Sequence, residues 1–101
     1  MRFAMAERGS VFSTRDRAIW VLAELEEAEA TSDGDRELIL DFSSVTDVSE
    51  SFADGFVGVV VSQRRSLGLP DPKIVGTIPF VRAVIDGALH LRELDFAQLA
   101  A

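Results

Sequence analysis

The stretch ELILDFSSVTDVSESFADGFVGVVVSQRRSL, residues 37–67, decides the fold class of this chain. Its apolar run at residues 38–40 is short and follows turn-forming residues, a pattern typical of a central strand covered on both faces. A polar segment at residues 43–49 comes next. From Ser51 onwards the sequence predicts a helix that stops before Gly68-Leu69-Pro70. The stretch therefore predicts a strand, a polar loop and a helix, with polar residues concentrated at the junction.

The helix prediction depends on its start and its length. Ser51 is followed three residues later by Asp54, the pattern of a capping box, in which side chains bond backbone amides that the first turn leaves unpaired. The β-branched run at residues 59–61 would also suit a strand. The cap and a length of about 16 residues favour helix. Its inward face is expected to carry Phe52, Phe56, Val59, Val60 and Gln63.

The chain before this stretch predicts two short strands and one helix. Residues 3–7 alternate in polarity and suit an edge strand, and residues 11–12 suit a second strand after the turn at residues 8–10. Ser13, with Asp16 three residues later, predicts a capped helix that runs to about Ala30. Apolar residues at helical spacing define its inward face: Ala18, Val21, Leu22, Leu25 and Ala28.

Trp20 lies on the opposite side of this first helix, together with Glu24 and Glu27. Two interpretations stay open from the sequence. Either Trp20 is partly exposed and available to a partner, or the helix is rotated slightly and Trp20 packs at the margin of the core.

The chain after the central stretch continues the alternation. Residues 73–76 predict a strand, and Pro79 suits the first turn of a third helix with inward Val81, Val84, Ile85 and Ala88. Residues 91–96 suggest a last edge strand or an extended tail, and residues 98–101 suggest loose order. This order predicts an α/β fold: one small domain over residues 1–101, a mixed, mostly parallel sheet of four to five strands, and about three helices.

Composition excludes several functional classes. The net charge of −7 argues against nucleic acid and anionic membrane surfaces as partners, because both need a basic patch. The absence of cysteine excludes disulfides, thiolate nucleophiles and cysteine-based metal sites. No apolar run approaches the roughly 18–20 residues of a membrane span, and no signal-peptide core is visible. We therefore expect a cytoplasmic protein without a cofactor.

The polar junction carries the candidate chemistry. Its carboxylates and hydroxyls could form a Mg²⁺-dependent phosphoryl-transfer or hydrolytic site at the end of a parallel strand. The sequence has no glycine-rich phosphate loop and no P-loop lysine to support such a site. A hydrolase would need His90, the only histidine, to meet Ser49 or Ser51, whereas His90 also suits a helix C-terminus. The acidic and hydroxyl candidates are Asp41, Asp47, Ser49, Glu50, Ser51 and Asp54.

Ordinary structural roles are also open to these residues. Asp41 at a strand end suits a loop anchor that accepts backbone amides, and Asp54 suits a capping acid in the first helical turn. Ser49 and Ser51 suit caps, or a phosphorylation switch, because a helix start tolerates an added phosphate. A phosphate there adds roughly −1.5 to −2 charges beside Glu50 and Asp54 and could repel a docked partner.

The junction resembles the STAS domain, the fold of bacterial anti-sigma-factor antagonists. Leu40-Asp41-Phe42 is similar to the family's strand end, and residues 49–53 are similar to the start of its helix. The chain is most similar to a divergent, uncharacterised bacterial STAS-like family, through residues 41–45, residues 49–54 and an upstream Thr14-Arg15. These motifs cover residues 38–58, while the order of elements extends the resemblance over most of the chain.

This resemblance implies a non-enzymatic regulatory module that docks a histidine-kinase-like, ATP-binding anti-sigma factor through the loop and helix start at residues 47–58. The implied partner-binding and switch residues are Ser49, Glu50, Ser51 and Asp54. The family's phosphorylated serine aligns with Glu50, a permanent negative charge, so Ser51 and Ser49 are the neighbouring candidates for phosphorylation. The family's glycine aligns with Phe52.

Overall fold

The computed structural model of the chain describes residues 1–32, 34, 36–96 and 99. The strands are β1 (Arg2–Ala4), β2 (Val11–Phe12), β3 (Ile39–Asp41), β4 (Asp47–Val48) and β5 (Lys73–Val75), and a 3-10 turn (Met5–Glu7) follows β1. The helices are α1 (Arg15–Ala30), α2 (Glu50–Ala53), α3 (Val59–Ser66) and α4 (Pro79–Leu91). A π-helical segment (Asp54–Gly58) joins α2 directly to α3, so these pieces form one continuous helical body.

All strand pairs in the described part of the chain are parallel, which confirms the predicted α/β class. β1, β3 and β5 form a three-stranded sheet with β3 at its centre, as the apolar run at residues 38–40 predicts. β2 and β4 form a separate two-stranded sheet. The main sheet is therefore smaller than the four to five strands predicted. β4 was not foreseen because its two residues contain a single apolar side chain, Val48, within a polar segment.

The core lies between the main sheet and the helices. Phe3, Leu40 and Ile74 stand in register across β1, β3 and β5 and are all buried. Phenylalanine rings continue this layer into the helices: the Phe3 and Phe56 centroids are 6.3 Å apart, and those of Phe52 and Phe56 are 5.6 Å apart. Phe52 also reaches the Phe12 ring at 4.9 Å, which ties the small sheet to the same core.

α1 ends at Ala30, as predicted, but its cap is not Ser13. Thr14 has extended backbone geometry, and its hydroxyl oxygen accepts a hydrogen bond from the Arg17 backbone N–H at 3.0 Å. Ala18, Val21 and Leu25 are buried on the predicted inward face. Trp20 is 68% exposed, so the expectation that it packs at the core margin is wrong and the exposed alternative is correct.

The π-helical segment changes which face of the following helix is buried. Phe52, Phe56 and Val60 point inward as predicted, but Val59 is only half-buried and Gln63 is exposed. A π turn inserts one extra residue, so every later side chain is rotated relative to a regular α-helix. Regular helical spacing could not anticipate this shift, which brings three further residues inward: Val57, Val61 and Arg64.

Arg64 is the only charged side chain buried in the described part of the chain. Its Nε donates to the Pro70 carbonyl at 2.7 Å, and its guanidinium also reaches the Arg36 carbonyl and Glu29. Arg64 therefore holds together the end of α1, the chain entering β3 and the turn after α3.

α4 begins with Pro79 and buries Val81, Ile85 and Ala88, as predicted. The possible last strand at residues 91–96 is wrong, because α4 ends at Leu91 and a turn follows before the buried Phe96. Ile74 donates its backbone N–H to the Leu99 carbonyl at 2.8 Å. The expectation of loose order at residues 98–101 falls outside the described residues, apart from Leu99.

None of the helices in the described ranges has both the length and the apolar character of a membrane span.

Candidate functional site

Ser49 joins the small sheet to the helix that carries the candidate site. Its backbone N–H donates to the Phe12 carbonyl at 2.9 Å, and its Oγ accepts from the Phe52 N–H at 3.0 Å. Ser49 is therefore the N-cap, and the prediction that Ser51 caps this helix is wrong. β4 ends at Val48, so the helix can begin two residues earlier than expected. Ser51 is left exposed in the first turn.

Asp54 lies between two arginines. The prediction that its carboxylate caps the helix is wrong. Its Oδ2 accepts from Arg15 Nη1 at 3.1 Å, and its Oδ1 accepts from Arg92 Nε. The hydrogen bond from Arg92, followed by that from Arg15, holds the pKa of the Asp54 carboxyl below its usual range. Asp54 thus stays ionised and connects the start of α1 to the residue that follows α4.

Two glycines beside Asp54 allow both arginines to approach. A Cβ on Gly55 would lie 3.1 Å from Ala18 Cβ and 3.3 Å from Arg15 Nη1. A Cβ on Gly58 would lie 2.7 Å from Arg92 Nε. Both glycines belong to the π-helical segment, a feature that is frequent at functional sites.

Asp54 and its two arginine partners line an open groove of about 350 Å³ at the junction of α1, α2 and α4. Glu50 and Ser51 are exposed, Asp54 is half-buried, and Leu91 is 78% exposed. The structure thus brings together Glu50, Ser51 and Asp54, while Ser49 supports them as the cap and does not line the groove. The complete lining is Arg15, Glu50, Ser51, Asp54, Ala88, Leu91 and Arg92.

Sequence reasoning missed Arg15, Leu91 and Arg92 as members of this groove. Arg15 carried a weak signal, since it belongs to the Thr14-Arg15 pair that resembles the STAS-like family. Arg92 carried none, because it pairs with a carboxylate 38 residues away. The Gly55 and Gly58 pair was the available sign that other side chains approach this helix closely.

The other acidic candidate, Asp41, does anchor its loop as predicted. Its Oδ1 accepts from the Ser43 backbone N–H at 2.9 Å, and its Oδ2 lies 2.7 Å from Arg2 Nη2. The Ser43 hydrogen bonds, and then Arg2, lower the Asp41 pKa to about 2. Asp41 therefore pairs with Arg2, whereas Asp54 pairs with Arg15 and Arg92.

A joint metal-binding role for the acids gains no support from these positions. Within residues 1–32, 34, 36–96 and 99, no three Asp, Glu or His side chains lie close enough to hold a metal ion together. His90 is exposed in the last turn of α4, where a cation is favourable. The depression beside His90 is lined by Asp86, Leu91, Glu93, Leu94 and Asp95, and contains neither Ser49 nor Ser51.

Comparison with known proteins gives no match for this chain among family models, curated proteins or solved structures.

Proposed function

We propose that this chain is a non-enzymatic bacterial regulatory module of the STAS type, an antagonist of an anti-sigma factor that acts by protein–protein contact. Its docking surface is the accessible part of residues 47–58, above all Glu50 and Ser51, together with Arg15, Leu91 and Arg92. The observation that supports this proposal most strongly is the groove in which exposed Glu50 and Ser51 stand beside exposed Leu91.

The chemistry of the groove suits a protein partner. Leu91 offers an apolar contact, while Glu50, Arg15 and Arg92 offer charges of both signs around it. Protein interfaces commonly combine an apolar centre with a polar rim. The resemblance to STAS domains suggests a histidine-kinase-like, ATP-binding protein as the partner. A basic or polar loop of that partner would meet Glu50 first, because Glu50 is exposed and Asp54 is already paired with arginines.

Ser51 is the better candidate for a phosphorylation switch. Its side chain is exposed in the first helical turn, whereas Ser49 is half-buried and its hydroxyl accepts a hydrogen bond from Phe52. A phosphate on Ser51 would add roughly −1.5 to −2 charges next to Glu50. It would also enter the groove that Arg15 and Arg92 line, and would compete with Asp54 for them. Both effects would change the surface offered to a partner.

The test is a binding measurement with a candidate ATP-binding, kinase-like anti-sigma protein. Calorimetry compares the original chain with Glu50→Lys and Ser51→Asp. The matched control is Glu7→Lys, the same charge change at an exposed residue outside the groove. We expect Glu50→Lys to weaken binding by at least about tenfold, because it reverses the charge that a basic or polar loop meets. Ser51→Asp should change the affinity because its carboxylate competes with Asp54 for Arg15 and Arg92, and the control should have no effect. Equal binding by all four proteins would exclude residues 47–58 as the docking surface.

A further inference from the structure

A second surface lies on the solvent side of α1 and shares no residue with the groove. We call it the Trp20 face, and define it as Asp16, Ile19, Trp20, Ala23 and Glu27. Ile19 is 60% exposed and Trp20 is 68% exposed, which is unusual for two adjacent large apolar side chains. Trp20 stands between two shallow depressions of about 370 and 520 Å³. A partner side chain could enter either one and pack against the indole.

Both charged side chains of this face are acids. Asp16 and Glu27 flank Trp20 on α1, and neither has an ion-pair partner among the residues that the structure describes. Two arginines lie beside this face and are engaged elsewhere. Arg17 lines the depression of about 370 Å³, but its guanidinium donates to the Arg8 carbonyl and lies over the Phe12 ring at 5.5 Å. Arg8 shares a depression with Glu27 and pairs with Glu24 and Glu7. The apolar centre is therefore bounded at both ends by acids whose charge is available to a partner.

These charges disfavour a second copy of the chain as the occupant. If two α1 helices packed antiparallel with Trp20 opposite Ala23, a position four residues before Trp20 would face one four residues after Ala23. Asp16 of each copy would therefore face Glu27 of the other. If they packed parallel, Asp16 would face Asp16 and Glu27 would face Glu27. Both arrangements oppose like charges, and each copy carries a net charge of −7.

We propose that the Trp20 face binds a basic amphipathic helix of another protein. An apolar side chain of that helix packs on Trp20 and Ile19, and a Lys or Arg at each end pairs with Asp16 and Glu27. Those two acids are 11 residues apart, about 16 Å along α1 at roughly 1.5 Å per residue. The partner's two basic residues should therefore stand about three helical turns apart on its apolar side.

Trp20 itself reports the binding, because it is the only tryptophan in the chain. The probes are synthetic 18-residue helical peptides with a Leu/Ala stripe and Lys at two positions 11 residues apart, in a small panel that varies the apolar residues. The matched controls carry Glu in place of each Lys. We expect a saturable blue shift of Trp20 emission with at least one Lys peptide, weaker in high salt, and no shift with the Glu peptides.

Variants separate this surface from the groove. The double variant Asp16→Lys, Glu27→Lys should weaken peptide binding by at least about tenfold, because both attractions become repulsions. Glu7→Lys and Glu50→Lys should bind the peptide as the original chain does. Trp20→Ala should keep its far-UV circular dichroism and show no heat of binding in calorimetry.

Three results would overturn the proposal. The first is no shift with any peptide of the panel, and the second is equal binding of Lys and Glu peptides. The third is a concentration-dependent blue shift of the chain alone, with a dimer mass in sedimentation, which would identify a second copy as the occupant.

Discussion

The two serines at the start of α2 should differ sharply in their contribution to stability. Ser49→Ala removes the acceptor of the 3.0 Å hydrogen bond from the Phe52 N–H, at a half-buried position. Losing an N-cap of this kind costs about 1 kcal/mol of unfolding free energy, within a range of roughly 0.5–2 kcal/mol. For a domain of this size, about 1 kcal/mol lowers the melting temperature by about 4–8 °C. Ser51→Ala removes an exposed hydroxyl and should change stability by less than about 0.5 kcal/mol.

Urea unfolding followed by far-UV circular dichroism measures both variants. Dichroism is preferred to fluorescence because Trp20 is exposed, so its emission should change little on unfolding. Ser49→Asp provides the matched rescue, since aspartate caps helices about as well as serine and its charge is favourable at a helix start. We expect its stability to return to within about 0.5 kcal/mol of the original chain.

Two outcomes would refute this reasoning. Ser51→Ala could destabilise the protein as much as Ser49→Ala, which would make Ser51 a capping residue. Alternatively, Ser49→Ala could unfold at the same urea concentration as the original chain, which would mean that the hydrogen bond to Phe52 contributes nothing. The comparison also bears on regulation, because a serine whose hydroxyl holds the helix start is a poor substrate for a kinase.

Three further predictions concern Asp41, Gly76 and Arg64. The folded-state pKa of Asp41 is lowered to about 2, so its ionised carboxylate stabilises the fold fully above pH 3.8, and this stabilisation is lost as the pH falls from 3.8 to about 2. Asp41→Asn should remove about 1 kcal/mol of this pH-dependent stability, a figure reduced because Arg2 is exposed. Urea titrations at several pH values measure the change. Gly76→Ala should lower the free energy of unfolding by about 2–4 kcal/mol, because φ is +76° and a Cβ would lie 2.7 Å from the Ser43 backbone N. Gly68→Ala has a similar φ of +69° but no described atom within 4 Å of the added Cβ, so it should cost about 1–2 kcal/mol. Equal losses for the two variants would contradict the steric explanation. Arg64→Met should cost about 2–3 kcal/mol, because it leaves the part-buried Pro70 and Arg36 carbonyls and the Glu29 carboxylate without this donor. Arg65→Met, at an exposed pair with Asp71, should cost less than about 1 kcal/mol. Similar urea midpoints for the two variants would show that the Arg64 contacts contribute no more to stability than an exposed ion pair.

Features with a strong local signal were predictable from the sequence. The apolar run at residues 38–40 identified the central strand, and Pro79 with apolar residues at helical spacing identified α4. The β-branched run at residues 59–61 was correctly assigned to a helix, because the length before Gly68 outweighed β propensity. In these cases periodicity and terminal residues point to the same element.

Features that depend on contacts distant in sequence were not predictable. β4 exists because Phe12 and Val48 pair across 36 residues, although Asp47 and Val48 alone would not suggest a strand. Once β4 ends at Val48, the helix starts at Ser49, and this moves the cap away from Ser51. The π-helical segment then rotates the later residues, so that Gln63 is exposed where regular spacing placed it inward.

The candidate site shows the same division. The sequence identified Ser49, Glu50, Ser51 and Asp54 as a polar cluster, and three of these line the groove. It assigned Asp54 to a local cap because Ser51 stands three residues before it. The actual partners, Arg15 and Arg92, lie 39 and 38 residues away in sequence, and no local pattern links them to Asp54.

The most direct test of the proposed docking surface is an NMR titration of the ¹⁵N-labelled chain with a candidate ATP-binding, kinase-like anti-sigma protein. The proposed function predicts the largest amide shifts at Glu50, Ser51 and Asp54, with matching changes at Arg15 and Arg92 and loss of the effect in Glu50→Lys. Shifts elsewhere, with these amides unchanged at saturating partner, would contradict it.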